Sequence, residues 1–280
     1  MTGYTLRPNP GKCSMHIIYR VCDAVDVCSA PKRCFPGKKR GIISTCLYSM
    51  WPSISRASRS IDIDVNIVED GCSDGTLHGV LNTFSCFRSK WHHIGRDGNL
   101  GRKGNAESFC KCVEIAAGFP DDDIVFLLED DYFFLVDDLF DRLAVGIDVL
   151  RHRNGQHVAI MPDDYPDRYL NGVYRGDEGY SEVHVTEIGH FMRIAHTTCT
   201  FATYAGVCRR HQDLFRKFRC WPRVRENESV NLVWGKVPLY QPIPAWTMHS
   251  QLRNIVPQYI DFDEVYKKFE GRADEYEEGI

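Results

Sequence analysis

Ile124-Val125-Phe126-Leu127-Leu128-Glu129-Asp130-Asp131 is an unbroken apolar run that stops on three consecutive acids. A strand covered on both faces reads this way, because neither side of it alternates with water. Upstream, Met15 to Val21 is a short apolar run with β-branched residues and predicts a first strand. Arg40 to Met50 has Ile42, Ile43, Cys46, Leu47 and Met50 at helical spacing and is expected to end near Pro52. Asp64 to Val68 alternates and stops at Glu69-Asp70-Gly71, after which Ser73 can cap a helix through Leu77, Val80, Leu81 and Phe84. His92 to Gly95 predicts a third short strand and Ala106 to Ala117 a helix. Downstream, Val136 to Leu150 is helical in pattern, His157 to Met161 and Glu182 to Thr186 are strand-like, Ile194 to Gly206 is apolar and small, and Gln212 to Phe218 predicts a helix. Strands that alternate with helices define an α/β fold with a mostly parallel central sheet, in which ligands bind beyond the carboxyl ends of the strands.

The 280 residues, with 43% hydrophobic and 12% aromatic content, are enough for one large core or two closely fused lobes, which excludes a disordered or fibrous chain. Met1 to Cys13 lacks an apolar stretch, and no later segment has the unbroken apolar length of a membrane span, so a cytoplasmic protein is expected. The twelve cysteines are then expected as thiols, with Cys46, Cys86, Cys110 and Cys199 reading as small buried hydrophobes. A zinc site on Cys13, Cys22, Cys28 and Cys34 would lack any C-x-x-C pair. The net charge of −4 provides no global attraction for nucleic acid. Two local basic runs exist, Lys32 to Arg40 and Arg209, Arg210, Arg216, Lys217, Arg219, Arg223 and Arg225. Each reads either as a solvated face or as a surface for a polyanion such as DNA.

Every acidic or glycine-rich cluster of the first half falls where the strand-end rule puts a ligand. Three successive acids repel one another unless a cation compensates them, and carboxylate oxygens suit Mg²⁺ or Mn²⁺. The alternative is a solvated turn capping the next helix. Asn99-Leu100-Gly101-Arg102-Lys103-Gly104-Asn105 joins permissive glycines, two cations and a helix start, which either brings N–H groups to a phosphate or forms an ordinary turn. It lacks the P-loop spacing, and no G-x-G-x-x-G occurs in the chain. His196-Thr197-Thr198-Cys199-Thr200-Phe201 either lines a sugar pocket through its hydroxyls or is a strand with Thr towards solvent.

Three of these segments together resemble the glycosyltransferases of the GT-A fold, in particular the inverting family 2 group. Val68-Glu69-Asp70-Gly71-Cys72-Ser73-Asp74-Gly75-Thr76 is similar to that family's D-D-G-S-x-D-x-T segment, with Glu69 for the first Asp and a Cys inserted before the Ser. Asn99 to Gly101 with Gly104 to Ala106 is similar to its N-x-G-x-x-x-A segment, and Glu129-Asp130-Asp131 stands where the family has its D-x-D metal motif. The likeness covers the first half and thins beyond Asp131.

The resemblance implies a GT-A-like, Rossmann-like α/β/α sandwich in which residues 1–135 bind a nucleotide sugar and residues 136–280 receive the acceptor. It implies that Glu69 and Asp70 contact base and ribose, with Arg20 near the base. Asn99, Gly101, Asn105 and Asp130 would help hold the nucleotide, and Asp131 would ligate Mn²⁺ or Mg²⁺. His249 resembles the late metal-binding His of some members, against an ordinary surface or core histidine. An inverting transfer also needs a carboxylate base. The nearest match to the family's E-D pair is Arg225-Glu226-Asn227-Glu228, which leaves Glu226 and Glu228 as alternatives and Asp164, in Asp163-Asp164, as a competitor. The implied activity is a hexosyl or pentosyl transfer from a nucleoside diphosphate sugar, such as a UDP-sugar, to a hydroxyl of a saccharide or a hydroxylated DNA base, with Arg209, Arg210, Arg216, Lys217 and Arg219 facing the latter. Two rivals are a nucleotidyltransferase, which would carry a glycine-rich loop after the first strand where Arg20 to Asp26 has none, and a non-catalytic nucleic-acid- or partner-binding protein.

Overall fold

A computed structural model of the chain describes residues 13–23, 39–94, 101–166, 182–250, 256–257 and 259–269. Its framework is a nine-stranded mixed sheet. β1 (Ser14–Val21), β2 (Asp62–Glu69), β3 (Arg88–His93) and β4 (Ile124–Glu129) are mutually parallel in the order β3-β2-β1-β4. They are linked by α1 (Lys39–Ala57), α2 (Asp74–Phe84) and α3 (Gly101–Ala116). β5 (Tyr132–Phe134) leaves the sheet, and α4 (Leu139–Asn154) returns to it. The sheet then continues past β4 through β9 (Phe201–Tyr204), β6 (Ala159–Ile160), β10 (Leu239–Ile243), β8 (Gly189–Ile194) and β7 (Val183–Thr186). β9 runs antiparallel to both β4 and β6, and β8 antiparallel to β10 and β7, while β6 and β10 are parallel. The parallel half is therefore the half in which strands and helices alternate.

The two-sided burial expected for β4 follows from helices on both faces. Ile124 to Leu128 are all buried, with Phe126 at an edge contact to Phe140 of α4 at 6.0 Å. Across the sheet, Phe109 of α3 meets Phe215 and Phe218 at 6.0 and 5.4 Å. Burying each aromatic or branched side chain of this size contributes roughly 1.5–3 kcal/mol.

Several element boundaries differ from expectation. α1 passes through Pro52 to Ala57 instead of stopping there. An internal proline costs about 3 kcal/mol, and the buried turn beyond it offsets this: Ser53, Ile54 and Ala57 are in the core, and the Ser53 hydroxyl accepts the Phe140 N–H at 3.2 Å. The third strand begins at Arg88, earlier than His92, and its pattern is polar because it is an edge strand with little covered surface. The strand expected at His157 to Met161 narrows to Ala159–Ile160. Cys86 is exposed, at the turn between α2 and β3, in contrast to the buried Cys46 and Cys110. Among the described residues no helix is long and apolar enough to cross a membrane.

Candidate active site

The carboxyl ends of β1, β2 and β4 stand side by side, with Arg20 opposite Val68 on one flank and Glu129 on the other. Arg20 and Glu129 therefore project on the same face of the sheet and form an ion pair, with side chains only 12% and 20% exposed. The same guanidinium donates to the Asn105 carbonyl at 2.8 Å and to its side-chain oxygen, and reaches Ser108 Oγ at 3.5 Å. A single arginine thus ties the first turns of α3 to the end of β4.

The three acids divide by face. β4 ends at Glu129, and the turn at Asp130-Asp131 brings the Asp131 carboxylate round to the side of Glu129 while Asp130 engages Cys22 and Lys39. Asp130 is 3% exposed and accepts the Cys22 N–H at 2.8 Å and pairs with Lys39 Nζ, at the start of α1, at 2.9 Å. Burial pushes the Asp130 carboxyl up; Lys39 opposes the shift and Asp131 adds to it. Asp130, expected to help hold the nucleotide, thus has one oxygen on the end of β1 and the other on the start of α1. Lys39 went unnoticed because, within the basic run Lys32 to Arg40, nothing local marks one lysine as buried.

Asp131 gains its neighbour from the far end of the chain. β5 pairs antiparallel with β11 (Thr247–His249), in a register that sets His249 against Tyr132. The Ser250 N–H donates to the Asp131 carbonyl at 2.8 Å, and the His249 N–H to Asp163 Oδ2 at 2.9 Å. The His249 ring stacks on Tyr132 at 4.6 Å and 6°, which aims Nε2 at Asp131 Oδ1, 3.3 Å away. One ligand atom from each of Glu129, Asp131 and His249 lies within 4.8 Å of the others.

The two carboxylates suit Mn²⁺ or Mg²⁺, and the imidazole turns the set towards a transition-metal ion such as Mn²⁺. Ligand atoms about 2.1 Å from one ion stand about 3 Å apart when cis and about 4.2 Å when trans, so the group closes on a single ion with small side-chain shifts. The donor set fits, and it includes Glu129, which the D-x-D comparison had not assigned to the metal.

The remaining predicted residues are distributed around this centre. Glu69 is buried, accepts the Cys72 N–H and pairs with His93. Asp70 is buried against α3, where a Cβ on Gly104 would lie 2.7 Å from Asp70 Oδ2. Gly101 opens α3, and Asn99 lies outside the described residues. Ser73 does not cap α2 with its own side chain; Asp23 holds the residue before the helix in place, accepting from the Ser73 N–H at 2.9 Å and from the Ser73 and Thr76 hydroxyls. Thr200 faces inward, not to solvent: it is buried, and its hydroxyl accepts the Glu129 N–H at 3.0 Å.

Among the base candidates, Asp164 is buried with one oxygen accepting from Gln241 at 2.6 Å and the other from the Tyr259 hydroxyl at 3.2 Å. Glu228 accepts the Arg225 N–H at 3.0 Å, closing its own turn. Glu226 is exposed; the Cys199 thiol is pushed up to about 12 by burial, with Arg20 opposing and Cys112, Asp131 and Glu226 adding to it.

The basic run stretches along α3 from end to end. Arg209 donates to the Ala117 carbonyl at 2.9 Å and pairs with Asp121 before β4, while Arg210 meets His157 Nδ1 at 2.8 Å; both are at the end of the sheet away from the acids. Arg219 pairs with Glu107 at 2.8 Å, and Arg216 and Lys217 are exposed. The predicted DNA-facing cluster is thereby split, because two of its five arginines and lysines are committed at the opposite end.

This arrangement, a parallel α/β half with acids at the strand ends continued by a mixed half, is the GT-A-like, Rossmann-like fold of nucleotide-sugar-binding proteins. The galactosyltransferase LgtC, solved in complex with donor and acceptor sugar analogs, matches with a TM-score of 0.51 at 11% identity, over 92% of this chain and 95% of that one. An active-site mutant of LgtC matches at 0.50 and 10% identity, over 92% and 95% of the two chains. The 1–349 piece of TarS from S. aureus matches at 0.42 and 14% identity, over 74% of this chain and 55% of that piece. No family model matches the chain, and no curated protein matches it in sequence.

Proposed function

We propose that the chain is a metal-dependent glycosyltransferase that moves a hexosyl or pentosyl group from a nucleoside diphosphate sugar, a UDP-sugar in the first instance, to an acceptor hydroxyl with inversion. The observation that carries this reading is the convergence of Glu129, Asp131 and His249 at the carboxyl end of β4 in a fold shared with LgtC. Glu129, Asp131 and His249 would hold Mn²⁺ or Mg²⁺, which when bound neutralises charge on a departing diphosphate. Residues 1–135 would bind the nucleotide, with Asp70 and the start of α3 beside it and Arg20 holding that turn in place. Residues 136–280 would receive the acceptor.

Glu226 is the base this reading favours, since Asp164 has both oxygens engaged and Glu228 caps its own turn. It would take the proton of the acceptor hydroxyl as that oxygen attacks the anomeric carbon and the nucleoside diphosphate leaves from the opposite face.

The test is a panel of UDP-, GDP-, CDP- and TDP-sugars with Mn²⁺, reading nucleotide release and donor-induced thermal stabilisation, with and without saccharide or DNA oligonucleotide acceptors. A metal-dependent response to one donor, lost in Asp131→Ala, is the expected result. Silence across the panel in folded protein would overturn the reading.

A further inference from the structure

Beyond the three ligand-bearing residues lies a chain of hydroxyls that runs away from His249 and ends on a backbone carbonyl. His249 Nδ1 is 3.3 Å from the Tyr165 hydroxyl, which is 2.8 Å from the Tyr132 hydroxyl, which in turn is 3.2 Å from the Cys199 carbonyl oxygen. Distances alone leave the direction of a hydroxyl chain open, because each phenol both donates and accepts. The terminus removes that freedom. A carbonyl oxygen only accepts, so Tyr132 spends its one proton on Cys199. Tyr132 must then accept from Tyr165, and Tyr165, its proton spent in turn, must accept from His249 Nδ1–H. Nε2, the other ring nitrogen, faces Asp131 Oδ1 at 3.3 Å, so with the hydroxyl chain accepting from Nδ1–H, the nitrogen on the carboxylate side is the one a cation would take.

We infer that Tyr165 and Tyr132 are positioning residues which lock His249 in its Nδ1–H tautomer and so keep Nε2 ready for a divalent cation. The inference rests on the metal-site reading above. Two further contacts serve the same end: the ring is fixed face-on to Tyr132, and the His249 N–H is fixed to the buried Asp163. The imidazole can then neither rotate about its axis nor shift along β11, and the hydroxyl chain sets which nitrogen carries the proton. Partners of this kind, one bond removed from the ligand atom, typically change metal affinity by 10- to 100-fold when removed.

The test has two readouts, neither of which is turnover. The first is the ¹⁵N spectrum of the His249 ring in metal-free protein, taken at a pH at which the same spectra show the ring to be neutral. Nδ1–H is expected in the wild type, and an increased share of Nε2–H in Tyr165→Phe and Tyr132→Phe. The second is the Mn²⁺ dissociation constant, from the signal of free Mn²⁺, expected to weaken on the order of 10-fold in each variant. A wild-type ring protonated on Nε2 overturns the inference by itself, even if neither variant folds. Folded variants with the wild-type tautomer and affinity overturn it as well. A wild type with the Nδ1–H tautomer but no affinity for Mn²⁺ or Mg²⁺ would instead overturn the proposed metal site and leave the tautomer assignment standing.

Discussion

Lys39 and Asp130 form an ion pair with side chains only 10% and 4% exposed, so each charge depends on the other for its solvation. Removing one partner of such a pair typically destabilises by about 3–5 kcal/mol, because the other is left buried and uncompensated. Lys39→Met and Asp130→Asn are each expected to lower the denaturant midpoint accordingly. The double variant should lose less than the sum of the two, which a double-mutant cycle measures directly. Additive losses would show that Lys39 and Asp130 are not coupled. Of the acid triplet, position and charge were legible from the residues alone. Which acid is buried was not, since that depends on a lysine at the start of another element.

Element ends carry the next set of consequences. Asp23 braces the start of α2 from outside the helix, and partial burial, which raises its carboxyl, is outweighed by the Ser73 hydroxyl, the Thr76 hydroxyl, the Ser73 N–H and the charge of Arg40, so its pKa is lowered. A carboxyl depressed in the folded state adds stability above its unfolded value, about 3.9, and loses it as pH falls through the folded value. Asp23→Ala should therefore cost about 1 kcal/mol at neutral pH through the lost hydrogen bonds, and the difference from wild type should shrink in acid denaturation as pH falls below about 3.9. A difference unchanged by acid would remove the Asp23 hydrogen bonds as its cause. Gly104 is the second such place. Its missing Cβ lets α3 approach to where a methyl would stand 2.7 Å from one Asp70 oxygen and 3.2 Å from the other. Gly104→Ala is expected to destabilise by about 1–3 kcal/mol through overpacking, read by thermal unfolding, and an unchanged midpoint would refute the tight fit. The sequence placed both helices. It did not reveal what holds the start of α2, because Ser73 stands at the expected position while the acceptor is Asp23, just after β1.

At the scale of the molecule, cysteine chemistry follows burial. Burial holds the Cys112 and Cys208 thiols up at about 12, with Arg20 opposing it at Cys112, and Cys46 also well above its ordinary value, whereas Cys86 and Cys220 are exposed. Since the thiolate is the reactive form, alkylation at pH 7.5 mapped by mass spectrometry should label Cys86 and Cys220 well before Cys46, Cys112 and Cys208. Equal rates would contradict the packing. The parallel half of the sheet was readable because its strands are apolar and bounded by helical periodicity. The other half was less so: β6 has two residues, and β7 and β8 alternate weakly.

From its residues alone, this protein declared a doubly covered strand at Ile124 to Leu128, acids at its carboxyl end and an α/β architecture around it. Those features are local, written in which neighbours avoid water within a few positions of each other. Tertiary structure alone decided that Glu129 and Asp131 face His249 while Asp130 faces Lys39, and that Tyr165 and Tyr132 stand behind the histidine. Those pairings depend on the register of β5 with β11 and on the packing of α1 beneath the sheet. Such long-range contacts are set by how the whole core closes, and no short window of sequence contains them.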